Sequence, residues 1–223
     1  MNLSKKLSLL LLLQLFFINP HNAFSQNKYH RDFYGGIFYL SEFIASPEYS
    51  LLKERNYDNE LVDTLYNRAT KFFEGDISEA LLCLTFACLP YNNIKTRFLF
   101  NSQLTIPLPS PPQRIFIQRL KNLPGKIFFD SPKNDFGDKD KLSHFFGNAF
   151  LNYNIGFFNL SKFMGIFVET VEEGLFIEGG YSKKDLITNS LGELFAEVLK
   201  DNPKILPSEI LKIYQIFFFR MYQ

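Results

Sequence analysis

Hydrophobic and polar positions follow a helical spacing along most of the chain. Over residues 59–73, apolar side chains recur three and four positions apart with polar side chains between them, which is the pattern of an amphipathic helix. The same reasoning predicts helices over 38–45, 76–89, 113–122, 140–157, 159–175, 183–200 and 207–221. The helix over 113–122 is short and basic, and we expect it to turn Ile115, Ile117 and Leu120 inward.

One segment departs from this pattern. Residues 94–109 alternate loosely between apolar and polar side chains, and Asn101 and Ser102 divide them into two halves. That arrangement predicts a β-hairpin, and its prolines suit the edge of a sheet. The predicted fold class is therefore mainly α: a helical bundle with a small β-hairpin.

The predicted organisation has two folded parts. Residues 131–139 form a polar stretch without periodicity, and we place the main internal boundary there. An N-terminal helical region with the hairpin, residues 26–130, would precede the boundary. A helical module, residues 138–223, would follow it.

The start of the chain resembles a secretory signal. Lys5 and Lys6 precede the apolar run 7–18, and small residues precede a cleavage point before Gln26. The apolar run is shorter than the about 20 residues that a membrane-spanning helix needs. We therefore predict that residues 1–25 are a signal peptide, with an uncleaved anchor as the alternative. The protein would be exported to the periplasm or envelope of a bacterium.

Composition narrows the class of partner. The chain has 223 residues, 46% hydrophobic, with 27 Phe and no Trp, and a formal net charge of +1. A net charge this close to zero gives no reason to expect nucleic-acid binding. The Phe-rich C-terminal segment 217–220 suggests a membrane surface or an envelope protein as a partner, and the oligomeric state stays open.

The two cysteines, Cys83 and Cys88, are five residues apart on a predicted helix. That separation places their Cα atoms beyond the ~7 Å that a disulfide tolerates. We interpret both as small buried hydrophobic residues.

The second half of the chain holds three pairs of polar residues, each four positions apart among apolar neighbours: Asp140 with His144, Glu169 with Glu173, and Asp185 with Asn189. Positions four apart share one face of a helix. If the three predicted helices pack together, the pairs meet in one polar cluster. Gly192, one turn after Asn189, would let another helix approach closely.

Each pair has a structural alternative. Asp140 could cap its helix, and the two glutamates could face water. Asp185 could be stabilised in the first turn of its helix by the positive end of the helix dipole. Functionally, Asp140 could orient the His144 imidazole for base catalysis or metal ligation. The candidate catalytic residues are His144, Glu169, Glu173, Asp140 and Asp185. The candidate binding residues are Asn189, Ser182 and Lys141, and the candidate metal ligands are His144, Glu169 and Glu173.

These residues also carry a resemblance. The motifs are Asp140-Lys141-x-x-His144-Phe145, Gly165-x-x-x-Glu169 and Ser182-x-x-Asp185-x-x-x-Asn189-x-x-Gly192. Over residues 138–192 they resemble the YfiM-like predicted periplasmic proteins, which carry a second glutamate at the place of Glu173. More distantly, they resemble the VanZ-like proteins.

The resemblance implies a helical envelope module and no particular reaction. VanZ-like proteins are small integral membrane proteins linked to teicoplanin resistance, and the YfiM-like group has no established biochemical function. This chain departs from the VanZ-like pattern because asparagine, serine and lysine interrupt residues 145–168. We therefore expect a soluble or peripherally attached module.

Two functions follow as hypotheses, and the sequence leaves open whether the protein is an enzyme. In the first, an exported envelope protein of unknown biochemical role uses the polar cluster for packing or binding. In the second, a metal-assisted or acid–base hydrolase acts on a lipid or cell-wall component. A divalent metal is the possible cofactor, and an activated water would be the nucleophile, because neither Ser143 nor Ser182 lies in a Gly-x-Ser-x-Gly elbow.

Overall fold

The computed structural model describes residues 29–97, 103–154 and 183–216. These residues form eight α-helices and one antiparallel pair of strands. In chain order the elements are α1 (Phe33–Ile44), α2 (Pro47–Arg55), α3 (Asp58–Phe72), α4 (Ile77–Ala87), β1 (Asn93–Arg97), β2 (Gln103–Pro107), α5 (Gln113–Asn122), α6 (Lys139–Asn154), α7 (Lys183–Asp201) and α8 (Pro207–Leu211). The predicted fold class, a mainly helical bundle with a small hairpin, is confirmed.

Helix α1 begins five residues earlier than the predicted start at 38. Asp32 caps it, because its carboxylate accepts a hydrogen bond from the Gly35 backbone N–H at 2.7 Å. Gly36, which would ordinarily weaken a helix, is buried against α4 and the end of α3. A Cβ at this position would lie 2.4 Å from the Phe73 ring and 2.7 Å from the Cys83 sulfur. Glycine is therefore needed there for close packing.

Helix α2 was not predicted. The Ser46–Pro47 pair that ends α1 also begins α2. The Ser46 hydroxyl accepts a hydrogen bond from the Tyr49 N–H at 3.1 Å, and Pro47 occupies the first turn. Proline suits that position because its missing N–H would have no helical partner.

Helix α5 has the predicted bounds, but the predicted inward face is only partly right: Leu120 packs against the core and Ile115 is half-buried, whereas Ile117 is exposed. Ile117 is 47% exposed, and the buried positions are Phe116, Arg119 and Asn122. The guanidinium of Arg119 donates to the backbone carbonyls of Phe86 and Leu89, at 3.3 and 2.7 Å. Arg119 is buried here because its guanidinium satisfies carbonyl groups where α4 ends.

The hairpin matches the predicted range 94–109 except that β1 begins one residue earlier, at Asn93. Strands β1 and β2 pair antiparallel, with Asn93 opposite Pro107 and Arg97 opposite Gln103. Helix α7 also agrees with the prediction over 183–200, and α6 agrees with the prediction over 140–157 as far as Asn154. Residues 155–157 lie outside the described residues. The helix predicted over 159–175 lies outside the described residues.

The last predicted helix, over 207–221, begins as expected but is interrupted. Helix α8 ends at Leu211, a turn follows at 212–213, and residues 214–216 are helical again. Residues beyond 216 lie outside the described part of the chain. The predicted signal peptide, residues 1–25, also lies outside it.

A single hydrophobic core joins the elements on both sides of the 131–139 loop. Helix α6 packs against α4 on one side and α7 on the other, and α8 packs against α3. Cys83 and Cys88 are free thiols inside this core, and burial raises the pKa of Cys88 to about 12. The prediction of two buried, unbridged cysteines is confirmed. Within the described ranges, no helix combines the length and the apolar character needed to cross a membrane.

Candidate functional site

Helices α6 and α7 cross at Gly192. A Cβ at that position would lie 2.2 Å from the Phe145 carbonyl oxygen and 3.2 Å from the Ala149 nitrogen. The two backbones are therefore nearly in contact, as the sequence predicted for this glycine. Phe145 and Phe195 pack beside the crossing with ring centroids 5.4 Å apart. This close approach brings polar side chains of the two helices together at one side of the crossing.

We call this group the α6–α7 cluster; its members are Asp140, Lys141, His144, Asn148, Asp185 and Asn189. All six side chains come from two helices, and each of the two helices also carries buried apolar residues that pack in the core. Four of the pair residues that the sequence singled out therefore meet. The third pair, Glu169 and Glu173, lies outside the described residues, as does Ser182.

An amide pair fixes the orientation of the imidazole. The Asn148 side-chain N–H₂ donates to the His144 backbone carbonyl and to the Asn189 side-chain oxygen, each at 2.9 Å. A backbone carbonyl can only accept, so the bond to the His144 carbonyl fixes which end of the Asn148 amide is the N–H₂ group. The bond from that N–H₂ group to Asn189 then identifies the Asn189 atom that faces His144 as its oxygen. That oxygen lies 3.2 Å from His144 Nδ1.

The tautomer of His144 follows from this arrangement. In the neutral ring, Nδ1 carries the proton that the Asn189 oxygen accepts, so Nε2 keeps its lone pair. Metal-binding histidines are commonly oriented in this way, by an acceptor that binds the ring N–H on the side away from the metal. The sequence had assigned the orienting role to Asp140; the structure gives it to Asn189.

Asp140 and Asp185 share one cation. The ammonium of Lys141 is ion-paired with Asp140 and with Asp185, the latter at 2.5 Å. The three side chains are 11–21% exposed. Burial alone would lower the pKa of Lys141, but the hydrogen bonds and charges of the two aspartates outweigh it and raise the pKa. Two carboxylates and one ammonium leave the group with a formal charge of −1.

Asp140, His144 and Asp185 also meet the geometry of a metal site. One ligand atom from each lies within 4.8 Å of the other two, and among the described residues this is the one such set of His, Cys, Asp or Glu side chains. Ligand atoms on opposite sides of a zinc-sized ion are about 4 Å apart, because each bond is about 2.0–2.2 Å. Small side-chain rotations would therefore bring the three onto one ion. An oxygen–oxygen–nitrogen set suits Zn²⁺, Mn²⁺ or Fe²⁺.

Sequence reasoning missed a second charged group beside this cluster. Lys184 lies 2.8 Å from an Asp130 carboxylate oxygen and 3.2 Å from both oxygens of Asp138. Ser131 donates to Asp138 at 2.5 Å, and Tyr214 donates to Asp130 at 3.0 Å. Burial raises the pKa of Asp138, against the lowering effect of Ser131 and Lys184. These contacts tie the start of α7 to the loop before α6 and to the segment after α8.

Asn148 was also missed as a site residue. It is one of the asparagines that interrupt residues 145–168, and it was not among the predicted site residues. Its position four residues after His144 was the available signal, because that spacing puts both side chains on the same face of α6.

Comparison of the chain with protein-family models, with curated proteins and with solved structures finds no significant match. The resemblance to YfiM-like and VanZ-like proteins therefore stays a prediction. The α6–α7 cluster is the feature of the structure that bears on function.

Proposed function

We propose that the chain is an exported cell-envelope protein whose α6–α7 cluster binds a divalent cation and thereby ties the two helices together. The observation that carries the proposal is the convergence of Asp140, His144 and Asp185 within 4.8 Å. The export part rests on the sequence of residues 1–25, whose basic start and short apolar run are typical of a signal peptide.

The electrostatics of the cluster support a cation. Two half-buried carboxylates lie close to each other, and like charges at such short range destabilise a fold unless a positive charge lies between them. The cluster already attracts one positive charge, the ammonium of Lys141. The His144 ring adds a neutral nitrogen ligand whose orientation is set by Asn189. Carboxylates alone would suit many cations, and the added imidazole favours a transition metal.

The first prediction concerns Asp185. Replacing Asp185 with Asn should lower the affinity of the full-length protein for Mn²⁺ by about 100-fold or more. Loss of a residue that only orients a metal ligand already costs about 10- to 100-fold in metal affinity, and Asp185 would itself bind the metal. Binding can be measured from the free Mn²⁺ signal in electron paramagnetic resonance.

Asp201→Asn is the matched control, because this carboxylate is exposed at the far end of the same helix. Its Mn²⁺ affinity should equal that of the wild type. The proposal fails if wild type and Asp185→Asn bind Mn²⁺ equally, or if neither binds while both stay folded by circular dichroism.

Metal-assisted hydrolysis of a lipid or cell-wall component is the second candidate function. It is favoured by the number of ligands: three protein side chains leave coordination positions for water and substrate, as catalytic sites do. A bound divalent ion would supply an activated water at neutral pH. Asn189 would hold the His144 ring in place, and Asp140 and Asp185 would complete the ligand set. Release of fatty acid or of cell-wall fragments that depends on Mn²⁺ or Zn²⁺, and is lost in His144→Ala, would support this function.

A further inference from the structure

We propose that Lys141 is a built-in competitor for the cation site: its ammonium neutralises Asp140 and Asp185 when no metal is bound, and it must leave them before a metal can enter. This inference rests on the proposed cation site and adds its regulation. Lys141 would take the place of the metal ion, and it lies on α6, the helix that also supplies Asp140 and His144.

The geometry makes the two cations mutually exclusive. Lys141 is ion-paired with the same two carboxylates that belong to the three-residue ligand set. Its side chain is 11% exposed, so the ammonium is held inside the cluster. A divalent ion bonded to both carboxylates would take their inward oxygens and repel an ammonium at the same place. The lysine must then swing toward solvent along its flexible stem.

Two other lysines show what distinguishes Lys141. Lys139 lies on the same helix and is as well buried, but its ammonium donates to the Asp135 backbone carbonyl at 2.7 Å. Lys184 also lies between two carboxylates, Asp130 and Asp138, and that group is completed by hydroxyl groups. Only the carboxylates held by Lys141 belong, within the described residues, to a set that includes an imidazole.

A competitor on the same chain weakens metal binding by a calculable factor. The apparent affinity falls in proportion to the fraction of molecules in which the site is open. If Lys141 leaves the carboxylates in about one molecule in ten, the metal binds about tenfold more weakly than it would to a site without the lysine. The site would therefore fill only above a threshold of cation concentration.

The test compares Mn²⁺ affinity in full-length wild type, Lys141→Met and Lys139→Met. Methionine keeps the long apolar stem and removes the ammonium. We expect Lys141→Met to bind Mn²⁺ about tenfold tighter or more, with Lys139→Met within about twofold of wild type. Lys141→Gln, which can still hydrogen-bond to a carboxylate, provides a second variant if the methionine chain folds poorly, and it should also bind tighter.

The outcomes separate this inference from the site itself. If wild type binds Mn²⁺ and both Lys141 variants bind it equally or more weakly, the competitor role is overturned and the cation site stands. If none of the chains binds Mn²⁺, both proposals are overturned. A lysine with a purely structural role would lower the melting temperature on removal without tightening Mn²⁺ binding, which would also overturn the inference.

Discussion

Alanine at position 192 is expected to lower the free energy of unfolding by about 3 kcal/mol, at the upper end of the effects of overpacking a well-packed interface. The added Cβ would lie 2.2 Å from the Phe145 carbonyl oxygen, and a backbone group cannot rotate away as a side chain can. Helices α6 and α7 would have to separate. Urea denaturation followed by circular dichroism measures the change.

Gly147→Ala is the matched control on the facing helix. A Cβ there would meet the Thr85 methyl group at 3.3 Å, and that side chain can shift. Because alanine is also the better helix former by about 1 kcal/mol, Gly147→Ala should leave stability nearly unchanged or raise it. Equal stability of Gly192→Ala and wild type would show that the two backbones do not approach as closely as the structure has them. The same separation would move His144 from Asn189, so Gly192→Ala should also weaken Mn²⁺ binding.

Truncation of Phe145 to alanine is expected to lower the free energy of unfolding by about 3–5 kcal/mol, the range for large aromatic residues removed from a core. Phe145 is fully buried, and its ring packs against Phe146 and Phe195 with centroids 5.3 and 5.4 Å away. Removal of a large ring from a closely packed core leaves a cavity that the surrounding side chains fill only in part. Thermal and urea unfolding measure the loss.

The control for this truncation is Leu186→Ala on α7, where the side chain is 55% exposed. Its effect should stay within about 0.5 kcal/mol. A Phe145→Ala chain that unfolds at the wild-type urea concentration would mean that the α6–α7 contact does not stabilise the fold.

The spacing of residues along the sequence predicted those features of the structure that depend on a single helix. The four-residue interval put Asp140 with His144 and Asp185 with Asn189, and Gly192 marked where a second helix would come close. When two helices pack with these polar faces toward each other, the two pairs come together. For this reason, part of the cluster could be predicted.

Contacts between distant elements could not be predicted in this way. Lys141 bridges carboxylates of α6 and α7, and its position depends on the crossing angle of the helices rather than on any local pattern. The same holds for α5, where apolar spacing favoured Ile117 as a core residue. The carbonyl groups at the end of α4 need donors, so Arg119 is buried and Ile117 is exposed.

The most direct test of the cation site is an anomalous diffraction measurement on crystals of the protein grown with Mn²⁺. We predict one strong peak, from an ion bonded to carboxylate oxygens of Asp140 and Asp185 and to Nε2 of His144, with the Lys141 ammonium displaced from both aspartates. Crystals that contain Mn²⁺ in the solvent but show no peak there, with Lys141 still between the two carboxylates, would contradict it.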